Sequence, residues 1–432
     1  MKKTNEKTHN EYSSPYEFKG RIPLSQAIPL GLQHVMAMFI GNLTPLIIVM
    51  GVCGLTADAG FATLRTALLQ NAMIIAGAVT LIQMFSIGPV GGKVPIVMGT
   101  SSGFLGVLNN TVAACGGGVI AYGAIMGACV VGGIFEGILG AFLKPLRKFF
   151  PPIVTGSVVI AIGLSLLGVG INYFCGGSGK ADYGSLPNLF LGFVVLIVIV
   201  LLKHFTPQNS IFSSSAILFG ILAGYIVAVI MTFVLPNTGV DANGAKYTYS
   251  WVVNFSQIKD AAWIAIPSFM GFGALSDIKI SFQASAIIPI GIMFIVTAIE
   301  TVGDISACIE GGMDREATDT ELSGGVMCDG LGSAFAAFFG VLPNTSFSQN
   351  VGLVSMTKVV NRFAISMGAI FLILCGFCPK IGAIMSIMPQ SVLGGAAVMM
   401  FASILISGIQ LITKEPIGSR EITIISVAIG LG

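Results

Sequence analysis

The sequence predicts an all-α polytopic membrane protein built as two inverted repeats of seven spans. Composition is the first observation, because 54% of the 432 residues are hydrophobic and only 9% are charged, whereas about a quarter are charged in soluble proteins. The second is that the apolar residues fall in blocks of about 20, the length that crosses a bilayer as a helix. The third is a set of internal echoes that indicates a duplicated unit.

The apolar blocks give the order of the elements. A polar segment at 1–22 has no apolar core, so we expect a solvated tail and no signal peptide. A polar connection at about 236–283, with an interfacial or short extended part, separates two series of spans. The predicted spans cover 28–50, 64–85, 94–112, 119–143, 153–174, 189–202, 212–235, 284–309, 322–341, 346–356, 363–378, 392–412 and a segment that starts at 422.

The few charged residues predict the orientation. Loops rich in Lys and Arg stay in the cytoplasm. With a cytoplasmic N-terminus, the extracellular segments hold only a minority of the 21 Lys and Arg residues, namely Arg65, Lys180, Lys246, Lys259, Lys279 and Lys380. We therefore predict a multi-pass protein of the cytoplasmic (inner) membrane with its N-terminus inside. The net charge of +2 gives no indication of a nucleic-acid partner.

Cysteine and histidine usage excludes further classes of function. The eight cysteines lie mostly in apolar runs, and we interpret the pair Cys375 and Cys378 as packing residues. Three histidines cannot supply an imidazole metal cluster, and no phosphate-binding loop for ATP occurs. We expect no cofactor and no metal, so transport would use an ion gradient.

Three pairs of segments suggest the internal repeat. They occur in the same order in both halves, and they are 27–31 with 287–291, Pro95 with Pro343, and 151–156 with 389–394. A unit of seven spans has an odd number of crossings, so the second copy is inverted. By this count we expect the chain to stop within the thirteenth span.

The third span of each unit is predicted to be broken. Segments 95–104 and 343–352 are rich in Gly, Ser, Thr, Asn and Pro, and such backbone is tolerated at membrane depth only where protein or a water-filled cavity surrounds it. Two facing breaks, each with a positive helix end, would form a polar substrate site near the midplane. The alternative is close helix packing through small residues.

Two carboxylates are predicted inside the eighth span. Glu300 and Asp304 are four residues apart and lie on one face of a helix. An intramembrane charge costs at least about 2.5 kcal/mol, so this pair suits proton coupling or substrate coordination. Alternatively, hydroxyls such as those of Thr297 or Thr301 satisfy one carboxylate for structural reasons.

Three other polar residues are harder to assign. Asp329 could carry protons or cap a helix, whereas Glu136, late in the fourth span, is expected to have an interfacial, structural role. His34, one turn into the first span, is expected to be a hydrogen-bonded core histidine rather than a ligand.

One motif resembles a known family. Gln349-Asn350-x-Gly352-x-x-x-x-Thr357-Lys358 matches a signature of Gln, Glu or Pro, then Asn-x-Gly, four variable residues, Thr, and Arg, Lys or Gly. This is the signature of the nucleobase-ascorbate transporter family, also called nucleobase-cation symporter 2. Further family-like motifs occur in the right order at Gln33-His34, Ser101-Ser102, 298–304 and Asp329-Gly330.

The resemblance implies fourteen spans divided between a core domain and a gate domain. The core would comprise 23–150 and 284–380, and the gate 151–236 and 381–432, with 237–283 as an extracellular or interfacial connection. Family members resemble dimers joined through the gate domain, so a homodimer is implied.

The resemblance also implies a substrate site. Glu300 would bind a nucleobase and Gln349 would make a second side-chain contact. Asn350 and the broken spans would complete the site, with proton coupling or support from a further group. The broken spans supply Ser102, Gly103 and Ser348, and the further group comprises Asp304, Asp329 and His34.

The subgroup follows from two positions. The chain resembles the xanthine and uric acid permeases in having Glu300 with Asp304 and Gln349 with Asn350. Uracil permeases instead have His at the position of Asp304 and Glu at the position of Gln349. The expected function is import of a purine nucleobase, by proton symport with alternating access. A uracil permease of the same fold and a passive channel stay as alternatives, and the chain is not expected to be an enzyme.

Overall fold

The computed structural model describes residues 12–56, 59–143, 151–177, 179–207, 210–240, 246–413 and 416–431. The described first half of the chain forms helices, with one short strand between the second and the third of them. In order they are α1 (Leu24–Val52), α2 (Ala62–Phe85), β1 (Met98–Thr100), α3 (Leu105–Ala114), α4 (Gly118–Ala141), α5 (Pro152–Phe174), α6 (Leu186–Phe205), α7 (Ile211–Ser214) and α8 (Ala216–Val234).

The second half begins with a short β-hairpin and then repeats the pattern of helices interrupted by one short strand. Its elements are β2 (Thr238–Val240), β3 (Lys246–Thr248), α9 (Ser256–Asp260), α10 (Ala284–Met313), α11 (Asp319–Ala337), β4 (Asn344–Ser346), α12 (Ser348–Thr357), α13 (Arg362–Gly376), α14 (Pro379–Ser386), α15 (Gln390–Ile412) and α16 (Ser419–Leu431). The β2–β3 hairpin lies in the predicted polar connection and confirms its extended part.

Within the described residues, 8 helices are long and apolar enough to cross a membrane, or 9 if α13 and α14 form one bent span. The bend between α13 and α14 is 82°, and it occurs where Pro379 begins α14 because the residue before a proline avoids helical backbone. The spans predicted at 94–112 and 346–356 are not continuous helices. Each is a three-residue strand followed by a ten-residue helix, as expected for broken spans.

The helix contacts follow a two-fold pattern. In the first repeat α1 and α2 pack against α13, and in the second repeat α10 and α11 pack against α4. Counterpart helices thus make counterpart interfaces, while α5 packs directly on its own counterpart, α15. This exchange of neighbours between the repeats is the arrangement that an inverted repeat produces.

Close backbone approach stabilises both of these interfaces. A Cβ atom on Gly330 of α11 would lie only 2.4 Å from the backbone nitrogen of Gly137 on α4. A Cβ atom on Gly77 of α2 would lie 2.5 Å from the carbonyl oxygen of Ala369 on α13. Glycine is required at both places, because a larger side chain would separate the helices.

The two broken spans meet as an antiparallel strand pair. Met98 pairs with Ser346, Gly99 with Thr345 and Thr100 with Asn344. Equivalent backbone bonds flank the pair, from Ser101 N–H to the Pro343 carbonyl (2.8 Å) and from Phe347 N–H to the Val97 carbonyl (3.0 Å). The polar backbone of each break is therefore satisfied by the other, away from lipid.

One hydroxyl in each repeat completes this pairing. The Thr80 hydroxyl of α2 accepts from the Met98 N–H (2.9 Å) and donates to the Met98 carbonyl (3.2 Å). The Ser333 hydroxyl of α11 does the same for Asn344, at 2.9 and 3.0 Å. Because α2 and α11 are counterparts, the second set of bonds repeats the first.

The N-terminal segment is exposed but anchored. Residues 12–21 are largely exposed, and the side-chain amide of Asn361 donates to the carbonyls of Glu17 (2.9 Å) and Gly20 (3.4 Å). Val360 and Asn361 also donate their backbone N–H groups to the Pro15 carbonyl. The sequence predicts a solvated tail here, and the structure ties its described part to the loop between α12 and α13. Residues 1–11 lie outside the described residues.

Candidate functional site

The strand pair brings the starts of two half-helices to one place. α3 begins just after β1 and α12 begins just after β4, so two positive helix ends point into the same region. Facing them is α10, with Glu300 and Asp304 one turn apart. This arrangement favours a polar or anionic group between the half-helices and α10.

A cavity of about 290 Å³ opens beside these residues. One wall includes Glu300, Asp304, Ser348 and Gly352, and the other includes Val159 of α5 with Ile404, Gln410 and Leu411 of α15. The volume is close to the lower end of small-molecule sites, about 300–1,000 Å³. The cavity therefore lies between the acidic helix α10 and the α5–α15 pair.

Glu300 lines this cavity and has one unpaired acceptor atom. Its Oε2 atom is buried and has no hydrogen-bond partner among the described residues. A Cβ atom on Gly103 would lie 3.7 Å from the same oxygen, so the missing side chain leaves room next to the carboxylate. A smaller cavity of about 30 Å³ is lined by Glu300, Ser102, Gly103 and Ser348. These four predicted site residues therefore lie around one space.

Asp304 is held by two hydroxyls from the second broken span. Its Oδ2 accepts from the hydroxyl of Ser346 (2.7 Å) and from that of Ser348 (3.1 Å). Ser346 belongs to β4 and Ser348 begins α12, so this carboxylate fixes the strand-to-helix turn. Asp304 thus combines site support with a position on the cavity wall.

Asn350 and His34 contact each other rather than the cavity. The Asn350 side-chain amide donates to the His34 carbonyl (2.9 Å) and lies 3.2 Å from His34 Nδ1. Both residues are buried. This bonded, buried histidine matches the structural interpretation of His34, and Asn350 links α12 to α1. The side chain of Gln349 lies outside the described residues, so its predicted contact is unplaced.

Asp329 is fully buried behind the strand pair. Its Oδ2 accepts from the hydroxyls of Thr301 on α10 and Thr345 on β4, the latter at 3.3 Å. It lies well inside α11, which begins at Asp319 with a cap from Thr318, so it is not a helix cap. Asp329 thus connects three elements of the site without lining the cavity.

Glu136, which is expected to have an interfacial, structural role, lies in the interior of the protein. Glu136 is fully buried, and its Oε1 accepts from the hydroxyl of Thr297 on α10 (3.2 Å). Hydropathy does not predict the burial of this residue, because it does not indicate which helices cover a given face. The burial of α4 against α10 and α11 decides the question.

Sequence reasoning missed several groups that shape the site. The hydroxyl of Ser346 and the α5–α15 wall of the cavity were not predicted as site residues. The polar composition of 343–352 was a usable signal for Ser346. No comparable signal exists for Val159 or Ile404, because apolar cavity walls look like any other membrane-spanning sequence.

The ion pairs Arg315–Glu321 and Lys358–Asp314 lie elsewhere, and no ion pair to Glu136, Glu300, Asp304 or Asp329 occurs among the described residues. The same part of the chain contains no group of three or more His, Cys, Asp or Glu residues suited to a metal ion. In the described part of the chain, no cation therefore balances Glu136, Glu300, Asp304 or Asp329, and hydroxyl groups donate to three of them, Glu136, Asp304 and Asp329. Such intramembrane acids mark functional sites.

Comparison with solved structures shows the fold. The transmembrane domain of a cyanobacterium bicarbonate transporter, BicA, matches with a TM-score of 0.58 and 14% sequence identity, over 94% of this chain and 95% of that one. SLC26A9 matches with a TM-score of 0.56 and 13% identity, over 88% of this chain and 58% of that one. The predicted fold of two inverted repeats of seven spans is confirmed.

Comparison with sequences shows the family. The model of the permease family matches residues 25–432. A putative purine permease of Clostridium perfringens is 36% identical over 100% of this chain and 87% of its own length. For the xanthine permease and the uric acid permease PucK of Bacillus subtilis, the identities are 34% and 32%. Each covers 94% of this chain and, respectively, 85% and 87% of the relative. The resemblance is confirmed: this chain belongs to the permease family, whose members here are membrane transporters rather than enzymes.

Proposed function

We propose that this chain imports an oxidised purine, of the xanthine or uric acid type, across the cytoplasmic membrane by proton symport. The observation that carries the proposal is the buried, unpartnered Oε2 of Glu300, whose carboxylate lines both the larger cavity and the small cavity where the two broken spans meet. A buried acceptor without a donor costs about 1–3 kcal/mol. A ligand N–H group at this position would recover that cost.

The chemistry of the cavity supports a purine. Glu300 accepts from N–H donors, and an amide such as that of Gln349 can both donate and accept, which suits adjacent N–H and C=O groups. The relatives include permeases for xanthine and for uric acid. A base that lacks those groups would leave buried partners unpaired.

The direction of opening supports alternating access. With the N-terminus inside, α10 and α15 both end at the cytoplasmic side, and the cavity reaches Gln410 and Leu411 near the end of α15. This position of the cavity supports an inward-facing state. Movement of the α5–α15 pair against the β1–β4 strand pair and its helices would expose Glu300 to the extracellular side. In this proposal the α5–α15 pair belongs to the gate domain, and the strand pair belongs to the core domain.

Proton coupling completes the proposal. Protonation at Glu300, Asp304 or Asp329 favours loading of the base, because a buried negative charge without a cation is costly. A ligand moves the equilibrium between inward and outward states only through its different affinity for each. Cotransport follows when the base and the proton favour the same state.

Uptake of radiolabelled xanthine in permease-deficient cells tests this function. Cells that express the wild-type chain should accumulate xanthine in a saturable way, and a protonophore should abolish the accumulation. Glu300→Gln should abolish uptake, because a neutral amide loses an acceptor and adds a competing donor. Glu310→Gln, on the exposed end of the same helix, is the matched control and should transport normally.

Competition by unlabelled bases separates the alternatives. Xanthine or uric acid should displace the label, whereas uracil should not. A well-expressed protein that takes up uracil and ignores purines would contradict the proposed substrate. Uptake that never saturates and ignores the protonophore would indicate a channel.

A further inference from the structure

Glu136 is a buried acid that the proposed substrate cavity does not use. It lies on α4, is fully buried and lines neither of the cavities that contain Glu300. Thr297 donates to its Oε1 at 3.2 Å, and Oε2 has no partner among the described residues. Therefore one oxygen of this carboxylate accepts a hydrogen bond and the other has no donor among the described residues.

Asp329 on α11 has the same incomplete satisfaction. The hydroxyls of Thr301 and Thr345 both donate to Oδ2, whereas the buried Oδ1 has no partner in the described part of the chain. Glu136 and Asp329 thus each have one carboxylate oxygen without a hydrogen-bond donor among the described residues. A bound proton on either oxygen would turn that carboxyl into a donor.

The two acids lie on helices α4 and α11, which pack against each other and against α10. Their threonine donors, Thr297 and Thr301, are one turn apart on α10 and lie on the same face. Beside them α4 and α11 touch, since a Cβ atom on Gly330 would lie 2.8 Å from the carbonyl carbon of Glu136. Glu136 and Asp329 thus lie on two helices that touch next to these residues, although they are far apart in the sequence.

Among the described residues, the three helices around the pair, α4, α10 and α11, contain no Lys or Arg. The other titratable groups on the surrounding helices are Tyr122 and Cys129 on α4, Glu300, Asp304, Cys308 and Glu310 on α10, and Asp319, Glu321 and Cys328 on α11. Arg65, on the neighbouring helix α2, donates instead to the carbonyl of Leu55. Two adjacent buried carboxylates cannot both stay ionised without a large cost.

We propose that Glu136 and Asp329 together hold one proton, and that this pair is the site of the transported proton. The inference rests on the proposed proton symport and assigns its location. Glu300 then remains free to accept from the base. The pair is linked to the cavity through β4, since Thr345 donates to Asp329 while the next residue, Ser346, donates to Asp304. Loss of the proton would shift β4 and weaken binding of the base.

Proteoliposomes that contain the full chain test this location with two measurements. The first is accumulation of labelled xanthine driven by an imposed pH gradient. The second is exchange of labelled for unlabelled xanthine without a gradient. For Glu136→Gln we expect exchange within about twofold of wild type and an accumulation ratio that falls to unity, since a neutral side chain can no longer release the proton. Glu316→Gln, an exposed glutamate, is the control and should match wild type in both.

The outcomes separate this inference from the proposed function. If wild type neither exchanges nor accumulates xanthine, the proposed function fails. If wild type accumulates xanthine and Glu136→Gln does so equally, the location of the proton is wrong. If sodium rather than a proton gradient drives wild-type accumulation, the proton pair is also overturned.

A spectroscopic measurement keeps the inference testable if Glu136→Gln does not fold. Infrared difference spectra of the wild type between acidic and alkaline buffer should contain the C=O stretch of a protonated carboxylic acid. Thr297→Val, which removes the donor to Glu136 Oε1 and keeps the carboxyl, should shift that band. An unshifted band would assign the proton to another acid.

Discussion

The two repeats share a scaffold but differ in their chemistry. In the first repeat, the side-chain Oδ1 of Asn42 on α1 accepts from the Thr100 N–H (2.8 Å), and Thr80 bonds to Met98. In the second, Ser333 bonds to Asn344 in the same way, but the α10 side chain at the strand is a carboxylate, Asp304. The duplicated backbone geometry therefore does not require acids, and only one half carries them near the cavity.

This difference separates stability from function. Hydrogen bonds that hold the strands are equivalent in both repeats, so their loss should destabilise the protein to a similar extent. Glu300, Asp304 and Asp329 belong to the second repeat, and Glu136 of the first repeat accepts from Thr297 across the α4–α10 interface. Changes in the second repeat should therefore reduce substrate binding more than matched changes in the first.

The largest expected effect comes from separating α4 and α11. Gly330→Ala places a methyl group 2.4 Å from the Gly137 backbone nitrogen, and overpacking against backbone should cost about 3 kcal/mol. Gly77→Ala, at the counterpart interface of α2 and α13, should lower the thermal unfolding temperature similarly. Only Gly330→Ala should also abolish gradient-driven transport by the folded fraction, since it moves Glu136 relative to Asp329.

Gly291→Ala is the control for both glycine variants, because no atom lies within 4 Å of the added methyl group. Thermal unfolding in detergent and accumulation per folded molecule are the measurements. Equal loss of transport in Gly77→Ala and Gly330→Ala would mean that the two interfaces are functionally equivalent.

A smaller effect is expected from the hydroxyls that hold the strands. Thr80→Val and Ser333→Ala each leave one N–H and one carbonyl of a strand unpaired, at a cost of about 2 kcal/mol in unfolding free energy. We expect Ser333→Ala to weaken xanthine binding roughly tenfold, because β4 carries the donors to Asp304 and Asp329. Thr80→Val should change the Kd by less than about threefold.

Equilibrium binding of xanthine and thermal unfolding, measured on the same samples, distinguish these two variants. If Thr80→Val weakens binding as much as Ser333→Ala does, the functional asymmetry of the repeats is lost.

The smallest effect concerns the starts of counterpart helices. Thr318 caps α11 in a reciprocal capping box with Glu321, whereas α2 begins after Phe61 without a side-chain cap. Thr318→Ala should lower the unfolding free energy by about 1 kcal/mol, with unchanged xanthine affinity in a binding assay. A change in affinity would show that the start of α11 influences the site at Asp329.

Hydropathy and polar composition predicted most of the fold but few of its long-range contacts. The spans follow from apolar blocks, and the breaks at 95–104 and 343–352 follow from their polar residues. Pairing of Met98 with Ser346 could not be derived, because each strand has only three residues and its partner is in the other half of the chain. The echo of Pro95 by Pro343 was the available hint.

The candidate site was predicted in outline for a related reason. Glu300 and Asp304 are conspicuous because charges are rare in apolar helices, and the structure places both at the cavity. Asn350 belongs to the same motif as Gln349, yet its amide contacts His34. Glu136 was misplaced because the face that a helix buries depends on its neighbours, which the sequence of one helix does not specify.

The pairing of β1 with β4 also constrains biosynthesis. Ribosomes complete the first seven spans before residue 344 exists, and during that interval the backbone groups of β1 have no strand partner. Exposed polar backbone is excluded from lipid, so the nascent first repeat must keep this segment in a water-accessible or protein-lined setting until the second repeat is inserted. The first repeat therefore cannot complete its hydrogen bonding until β4 of the second repeat has been synthesised.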